Sequence, residues 1–331
     1  MNFLQKPEVQ IYEPQRDNAD LRVKNIIKPT PIGKIDIGII GVPFDKAVAL
    51  GGGRAGARLA PTAVRECLKK YGTTFNLDKK IDIRDLSIVD FGDVVVTEDI
   101  TETHERITGA VESLLTKAIL PIVIGGGHDI SIGTVRALSK FHCREIGGIN
   151  IDAHFDVREI IDSKITSGTP FRKLLDNELL KGENFVEIGA HDNLNSRVYY
   201  DYLVSKKVFI FTLSEVAETG TSTIMENALK IAGSNTRSVF VSIDIDSVAQ
   251  CFAPGSSAPD ARGFSPDQIR ELAFLAGASK VVQLLDIVEI NPRFDVDNRT
   301  ARLGASIIIS FLNGFKRRKK GGVLNDPPDV L

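Results

Sequence analysis

Cysteine is scarce in this 331-residue chain, and the three present, Cys67, Cys143 and Cys251, are odd in number and far apart. That argues against a disulfide framework and fits a reducing compartment. An excess of either charge is also missing, with 41 Lys+Arg against 43 Asp+Glu and a formal net charge of -2. No bulk basic field is available to attract nucleic acid. No apolar run approaches the ~20 residues needed to cross a bilayer. The first 34 residues are polar, broken by proline and without a signal-peptide apolar region, so neither export nor membrane insertion is expected. Internal repeats and a Walker phosphate loop are absent as well. What remains has ordinary globular composition, 43% hydrophobic and 25% charged. Its length suits two average domains or one large α/β domain. A cytoplasmic, enzyme-sized α/β protein is the expectation.

Short Val/Ile/Leu runs alternate with helical patterns from about residue 35 to 315. The strand candidates are 35–43, 86–94, 120–127, 146–154, 184–190, 207–213, 237–246 and 280–290. Most are continuously apolar rather than alternating, as strands buried on both faces are. Helical stretches lie between them, among them 60–71, 105–118 and 265–278. Ser265-Pro266 makes a good N-cap and N1 pair, and Ser131 is placed to open the helix carrying Val135 and Leu138. Repeated strand–helix alternation means a parallel sheet covered by helices. The pattern does not distinguish an open doubly wound sheet from a closed barrel. No linker divides the region, so the reading is an N-terminal arm (1–34), a single domain (35–315) and a polar tail (316–331). The tail begins with five consecutive basic residues, Lys316 to Lys320. A solvated helix end stopped by Gly321 explains them without a nucleic-acid partner.

Three strand ends concentrate metal-type ligands. The third strand runs into Gly125-Gly126-Gly127-His128, the fourth into Asp152-Ala153-His154-Phe155-Asp156, and the seventh into Asp244-Ile245-Asp246. In an extended chain residues two apart share a face, so each set is expected to converge. Parallel α/β sheets place their sites at the carboxyl ends of strands. A lone aspartate there is usually a turn former and a lone buried histidine usually structural, but six together are hard to explain that way. Four carboxylates crowded together repel unless cations neutralise them, and two divalent ions bring their charge to zero. Oxygen-rich ligation with some imidazole suits manganese better than a structural zinc site. Two ions ~3.5 Å apart can activate a bridging hydroxide, which implies metal-assisted hydrolysis.

GGGHDIS (125–131), NIDAHFDVRE (150–159) and VSIDIDSVAQCFAPGSSAP (241–259) resemble three signatures of the arginase/agmatinase/formimidoylglutamase superfamily, the ureohydrolases. The segment 41–68 looks like that family's Gly/Arg region, and LLDIVEINP (284–292) like its last-strand motif. The resemblance implies a three-layer α/β/α fold around a parallel, about eight-stranded sheet, with two Mn2+ per subunit. By position His128, Asp152, His154, Asp156, Asp244 and Asp246 match the metal ligands. Two departures stand out. Ala249 and Gln250 replace a later Asp-Pro, and Ser167 stands where arginases and agmatinases carry a histidine. The latter counts against arginase and agmatinase activity, and SGTPF with GGGH is most similar to the formimidoylglutamase branch.

The resemblance implies attack of metal-bound hydroxide on an amidine or guanidine carbon. Asp156 and Glu289 are the expected catalytic carboxylates, with Glu289 holding the cationic head; Asp286 shares its strand and is either a second such group or a buried structural acid. His191, on the presumed active edge, is expected to relay a proton or touch substrate. Arginine forks bind carboxylates, so Arg54, Arg158 and Arg172, with Ser167, Gly168 and Thr169, are assigned to substrate, and Arg58 lies in the same Gly-rich loop as Arg54. A dicarboxylate suits them, whereas agmatine's second cation does not. His104 and His142 sit in charged helical contexts and are expected at the surface, and no base is in view to activate Cys251. The expected reaction is N-formimidoyl-L-glutamate plus water to L-glutamate plus formamide, a step of histidine degradation. The alternatives are an agmatinase, arginase or guanidino-acid ureohydrolase releasing urea, or a catalytically silent metal-binding subunit. The expected partner is the small amidine or guanidine substrate, with no nucleic acid or membrane, in a homo-oligomer that the resemblance makes a trimer or hexamer.

Overall fold

The computed structural model describes residues 3–16 and 19–319. Eight strands form the body of its ten-stranded main sheet: β1 (Ile37–Gly41), β2 (Ile88–Val94), β3 (Leu120–Ile124), β4 (Ile146–Ile151), β5 (Phe185–Ala190), β6 (Phe209–Thr212), β7 (Ser238–Asp244) and β8 (Val282–Val288). Each lies within an expected apolar run and is slightly shorter, because glycine and polar residues turn the ends into loops. All neighbouring pairs among the eight are parallel, in the order β2-β1-β3-β8-β7-β4-β5-β6. The sheet is open, which settles the alternative that pattern left undecided. Strands β3, β8, β7 and β4 occupy its centre, where the chain reverses its direction of travel across the sheet.

Period-two alternation persists although both faces are buried. Ile39, Ile151, Val241 and Ile287 face one core, whereas Ile40, Ile146, Phe240 and Val288 face the other. Helices α1 (Ala60–Lys70), α5 (Thr221–Ala232), α6 (Pro266–Ala278) and α7 (Arg299–Lys319) cover the first face. Helices α2 (Ile100–Leu115), α3 (Ser131–Phe141) and α4 (Pro170–Asp176) cover the second. The fold is therefore three-layer α/β/α. Ser265 caps α6 with Gln268 in a reciprocal box and Pro266 at N1, as expected.

Several expectations need correction. Helix α2 starts five residues before the expected 105, because Asp99 accepts from the Glu102 N–H at 2.8 Å and caps it there. Ser131 does open α3, but its hydroxyl donates to Asp286 at 3.1 Å rather than capping. The first 34 residues are not simply an extended arm. Leu4–Gln5 pairs antiparallel with β2, Ile27–Lys28 pairs parallel with it, and Ile11, Val23 and Ile27 enter the core. The basic run is docked rather than solvated: Lys316 is buried against Asp85, Arg318 donates to the Ser279 and Val282 carbonyls, and Lys319 pairs with Asp36. Lys320 and the expected Gly321 stop lie outside the described residues. His104 is fully buried on α2, bonded to Asp129 at 2.8 Å, and His142 is half-buried against Gln283. Local charge pattern misplaced His104 because α2 turns that residue towards the loop after β3.

One buried ion cluster joins α1 to the sheet. Arg65, with no exposure, forks onto Asp90 at 2.9 and 3.0 Å, reaches Asp93 at 2.5 Å and donates to the Gly92 carbonyl. Gly41 is required beside it, since a Cβ there would fall 2.0 Å from Asp93 Oδ1. Removing one partner of such a cluster leaves uncompensated buried charge. Arg65→Met is expected to cost about 3–5 kcal/mol in urea unfolding; a loss under about 1 kcal/mol would show that the clamp does not hold α1 to β2.

Candidate metal centre

The triple glycine after β3 lets the turn pass under the segment after β1. A Cβ on Gly126 would sit 1.6 Å from the Phe44 carbonyl oxygen. That turn delivers His128, fully buried, with its backbone N–H donating to Glu289 Oε1 at 3.0 Å. The convergence of Asp152, His154 and Asp156 has a different origin from the expected one. Strand β4 stops at Ile151, and the loop then folds back, with Asp156 at φ 48°. Likewise Asp244 ends β7 while Asp246 lies in a 3-10 turn, where Asp244 Oδ1 accepts from the Asp246 N–H at 2.9 Å. Glu289, one residue beyond β8, also has positive φ, 63°. Non-glycine residues rarely adopt such backbone, and here it turns carboxylates inward.

The six side chains form two adjoining clusters. His128 Nδ1 lies 2.9 Å from Asp156 Oδ2, 3.2 Å from Asp244 Oδ2 and 3.3 Å from Asp152 Oδ2. His154 Nδ1 lies 3.3 Å from Asp246 Oδ2 and 3.5 Å from Asp152 Oδ1. In each cluster every ligand atom is within 4.8 Å of the others, and Asp152 belongs to both. One imidazole N–H cannot serve three carboxylates, so His128 Nδ1 makes no well-formed hydrogen bond, and Asp246 Oδ1 is also without a partner. A cation in each cluster satisfies what a proton cannot, and oxygen with imidazole suits a divalent transition ion.

Electrostatics agree. Burial, followed by neighbouring carboxylates, pushes Asp244 and Glu289 well above the ordinary carboxyl range. Burial raises Asp246 to about 7. Burial opposes charge on His154, but Asp246 and Asp152 outweigh it and raise the imidazole to about 12. His128 is likewise driven well above its ordinary value by Asp152, Asp156 and Asp244 against the pull of burial. Burial also works to raise Asp152, yet its bonds to both histidines bring it below the ordinary value.

Beneath the ligands runs a row of buried polar residues in strand register: Glu187 on β5, Asn150 on β4, Ser242 on β7 and Asp286 on β8. His128 Nε2 meets Ser242 Oγ at 3.0 Å, and Asp286 accepts from Ser131 and from Thr134 at 2.7 Å. Asp286 is thus a buried support, the structural one of its two expected roles. Sequence reasoning missed Glu187, Asn150 and Ser242. The available signal was polar residues interrupting apolar strands two positions before Asp152 and Asp244.

A cavity of about 380 Å³ opens above the clusters, lined by His154, Asp156, Asp244, Asp246 and Glu289. Ser167, Gly168 and Arg158 also line it. Lys164 and Tyr199 are lining residues that sequence reasoning did not find. Arg158 and Lys164 are exposed, and neither makes an ion pair among the described residues, although Glu159 shares the rim. The other expected residues lie off the cavity wall. Arg54 is tied to the Ser256 and Ser257 carbonyls and lies over Phe294. Arg58 pairs with Asp45, and Arg172 pairs with Asp176 over the Tyr202 ring. Thr169 bonds Thr166. None of these four lines the cavity, nor does His191, buried 3.6 Å from Asp260 with both ring nitrogens unpartnered. Each of these arginines already has local partners, which a linear pattern does not reveal.

An open parallel sheet whose central strand ends carry two carboxylate–imidazole clusters sharing one aspartate defines a class: α/β/α proteins built around a two-cation centre. The Arginase family model matches residues 35–313, and the chain belongs to that family. It is 33% identical over 302 residues to a formimidoylglutamase of Halalkalibacterium halodurans, covering 90% of this chain and 93% of that protein. The crystal structure of Trypanosoma cruzi formiminoglutamase with Mn2+ superposes with a TM-score of 0.86 at 33% identity, covering 90% of this chain and 99% of that one. A proclavaminate amidino hydrolase from Streptomyces clavuligerus gives a TM-score of 0.79 at 27% identity over 92% of this chain and all of its own.

The raised Asp246 carboxyl sets a pH dependence. Its pKa rises from about 3.9 in the unfolded chain to about 7 in the fold. The stability it contributes is therefore full below the unfolded value and lost as pH rises through about 7. A divalent ion competes with that proton, so cation-induced thermal stabilisation is expected to be larger at pH 8 than at pH 5.5. Melting curves with and without the ion test this; equal shifts at both pH values would contradict it.

Proposed function

We propose that the protein is a two-manganese hydrolase that converts N-formimidoyl-L-glutamate and water to L-glutamate and formamide. The cluster of six ligand-type side chains with one shared aspartate carries the metal part of this reading. His128, Asp152, Asp156 and Asp244 would hold one ion, and Asp152, His154 and Asp246 the other. Bound divalent ions supply Lewis acidity and make water near them a stronger nucleophile at neutral pH. Glu289 keeps one oxygen on the His128 N–H and has the other unpartnered at the cavity wall, suited to accept an N–H of the amidinium. Asp156 lines the same cavity and is the carboxylate suited to pass a proton to the departing nitrogen. Water adds to the amidine carbon, the bond from that carbon to the glutamate nitrogen breaks, and that nitrogen leaves protonated.

The substrate's far end is supported by charge. Arg158 and Lys164 give the rim two cations without ion-pair partners among the described residues, which attract a dicarboxylate and repel a second cation such as agmatine's. The formimidoylglutamase relatives agree with this choice. The reading extends to a cytoplasmic homo-oligomer, a trimer or hexamer, to be sized by light scattering.

Incubating the manganese-loaded protein separately with N-formimidoyl-L-glutamate, arginine, agmatine and guanidinobutyrate decides the substrate. Formamide and glutamate are expected from the first alone, and urea from any other would replace the assignment. Arg158→Ala is expected to raise KM for formimidoylglutamate by about 10- to 100-fold with kcat little changed, from ~1.5–3 kcal/mol for a charge-assisted hydrogen bond. An unchanged KM would remove Arg158 from the substrate site. Glu289→Gln is expected to retain both ions by metal analysis while lowering kcat.

A further inference from the structure

Two members of the buried polar row have no part in the chemistry above. Glu187 is 1% exposed on β5 and stands in register with Asn150 on β4, itself fully buried. The Asn150 amide nitrogen lies 2.9 Å from Glu187 Oε2 and 3.3 Å from Asp152 Oδ2. Its NH2 group has two protons, and each has one carboxylate to meet. A side-chain amide can also sit with oxygen and nitrogen exchanged, which would aim its carbonyl dipole at the Asp152 carboxylate. An acceptor on β5 selects the orientation that gives Asp152 a donor.

Asp152 is the side chain common to both clusters. Its Oδ1 is held by the His154 backbone N–H at 2.7 Å, a bond fixed by the loop itself. Its Oδ2, 3.3 Å from His128 Nδ1, has the Asn150 amide as its donor. We propose that Glu187 is a positioning residue: through the Asn150 amide it holds Asp152 Oδ2 towards the His128 cluster, and it thereby sets the affinity of the cation bound there without touching it. This inference rests on the two-cation reading of the site. Groups that orient metal ligands from behind commonly alter metal affinity by about 10- to 100-fold when replaced.

The test is stepwise manganese titration of the metal-free full chain, followed by electron paramagnetic resonance, with circular-dichroism melts to monitor the fold. The wild type is expected to take two equivalents. Glu187→Gln, whose amide oxygen still accepts from Asn150, is expected to keep both affinities within about threefold. Glu187→Leu, similar in volume but without an acceptor, is expected to lose about 10- to 100-fold in one binding step and leave the other unchanged. Asn150→Ala removes the same link from its other end and must show the same single-step loss, which decides the matter if the leucine variant does not fold. In the double variant the losses must not add. Unchanged affinities in Glu187→Leu or Asn150→Ala, a Gln variant as weak as the Leu variant, or additive losses would each overturn the relay. A wild type that takes up no manganese would instead sink the two-cation reading itself.

Discussion

Four aspartates and a glutamate held together out of water are the constraint around which this structure is arranged. Like charges a few ångströms apart in a low-dielectric site repel strongly, and each also loses its hydration. Burial and like charge push several of these carboxyls upward, and the carboxylates facing both histidines push those upward as well. Protons are poor substitutes for cations here, since one N–H cannot satisfy three oxygens at once. The surrounding fold has to impose this geometry.

It does so through position and support. Strands β3, β7 and β4, which lead into the candidate ligands, are with β8 and its Glu289 the four central strands, each flanked on both sides by hydrogen-bonded neighbours. Their ends are therefore fixed relative to one another by ladder register. Below the ligands, hydroxyl, amide and carboxyl side chains form a row that meets His128 on one side and Asp152 on the other. Buried polar networks of this kind are costly when incomplete and specify geometry when filled. Above the ligands the polarity changes sign, with cations at the rim. Under the proposed function, negative charge at the floor and the Arg158 and Lys164 cations at a rim that Glu159 shares would orient a substrate that is cationic at one end and anionic at the other.

Much of this was legible in the sequence, and the reasons are local. Continuous Val/Ile/Leu runs located all eight main strands, because burial on both faces leaves little other choice of residue. The six ligand-type residues were recognisable from motifs at strand ends, since strand direction alone brings carboxyl ends to one edge. Even so, same-face alternation was the wrong reason for the convergence of Asp152, His154 and Asp156. The backbone at Asp156 turns through positive φ, and composition does not announce it.

Tertiary structure decided everything that depends on which strands are neighbours. The order β3-β8-β7-β4 exists only in space, so the row from Glu187 to Asp286 could not be read along the chain. It also decided which cations are free: Arg54, Arg58 and Arg172 find partners nearby, whereas Arg158 and Lys164 reach the cavity rim without an ion pair among the described residues. The same applies to His104, which charge pattern assigned to solvent and helix packing buried against Asp129. By itself the sequence determined the main strands, the parallel α/β class and the candidate ligand residues at strand ends, because these follow from residue chemistry and short-range periodicity. Support, charge pairing and access depend on contacts between residues distant in the chain, and those were decided only by folding.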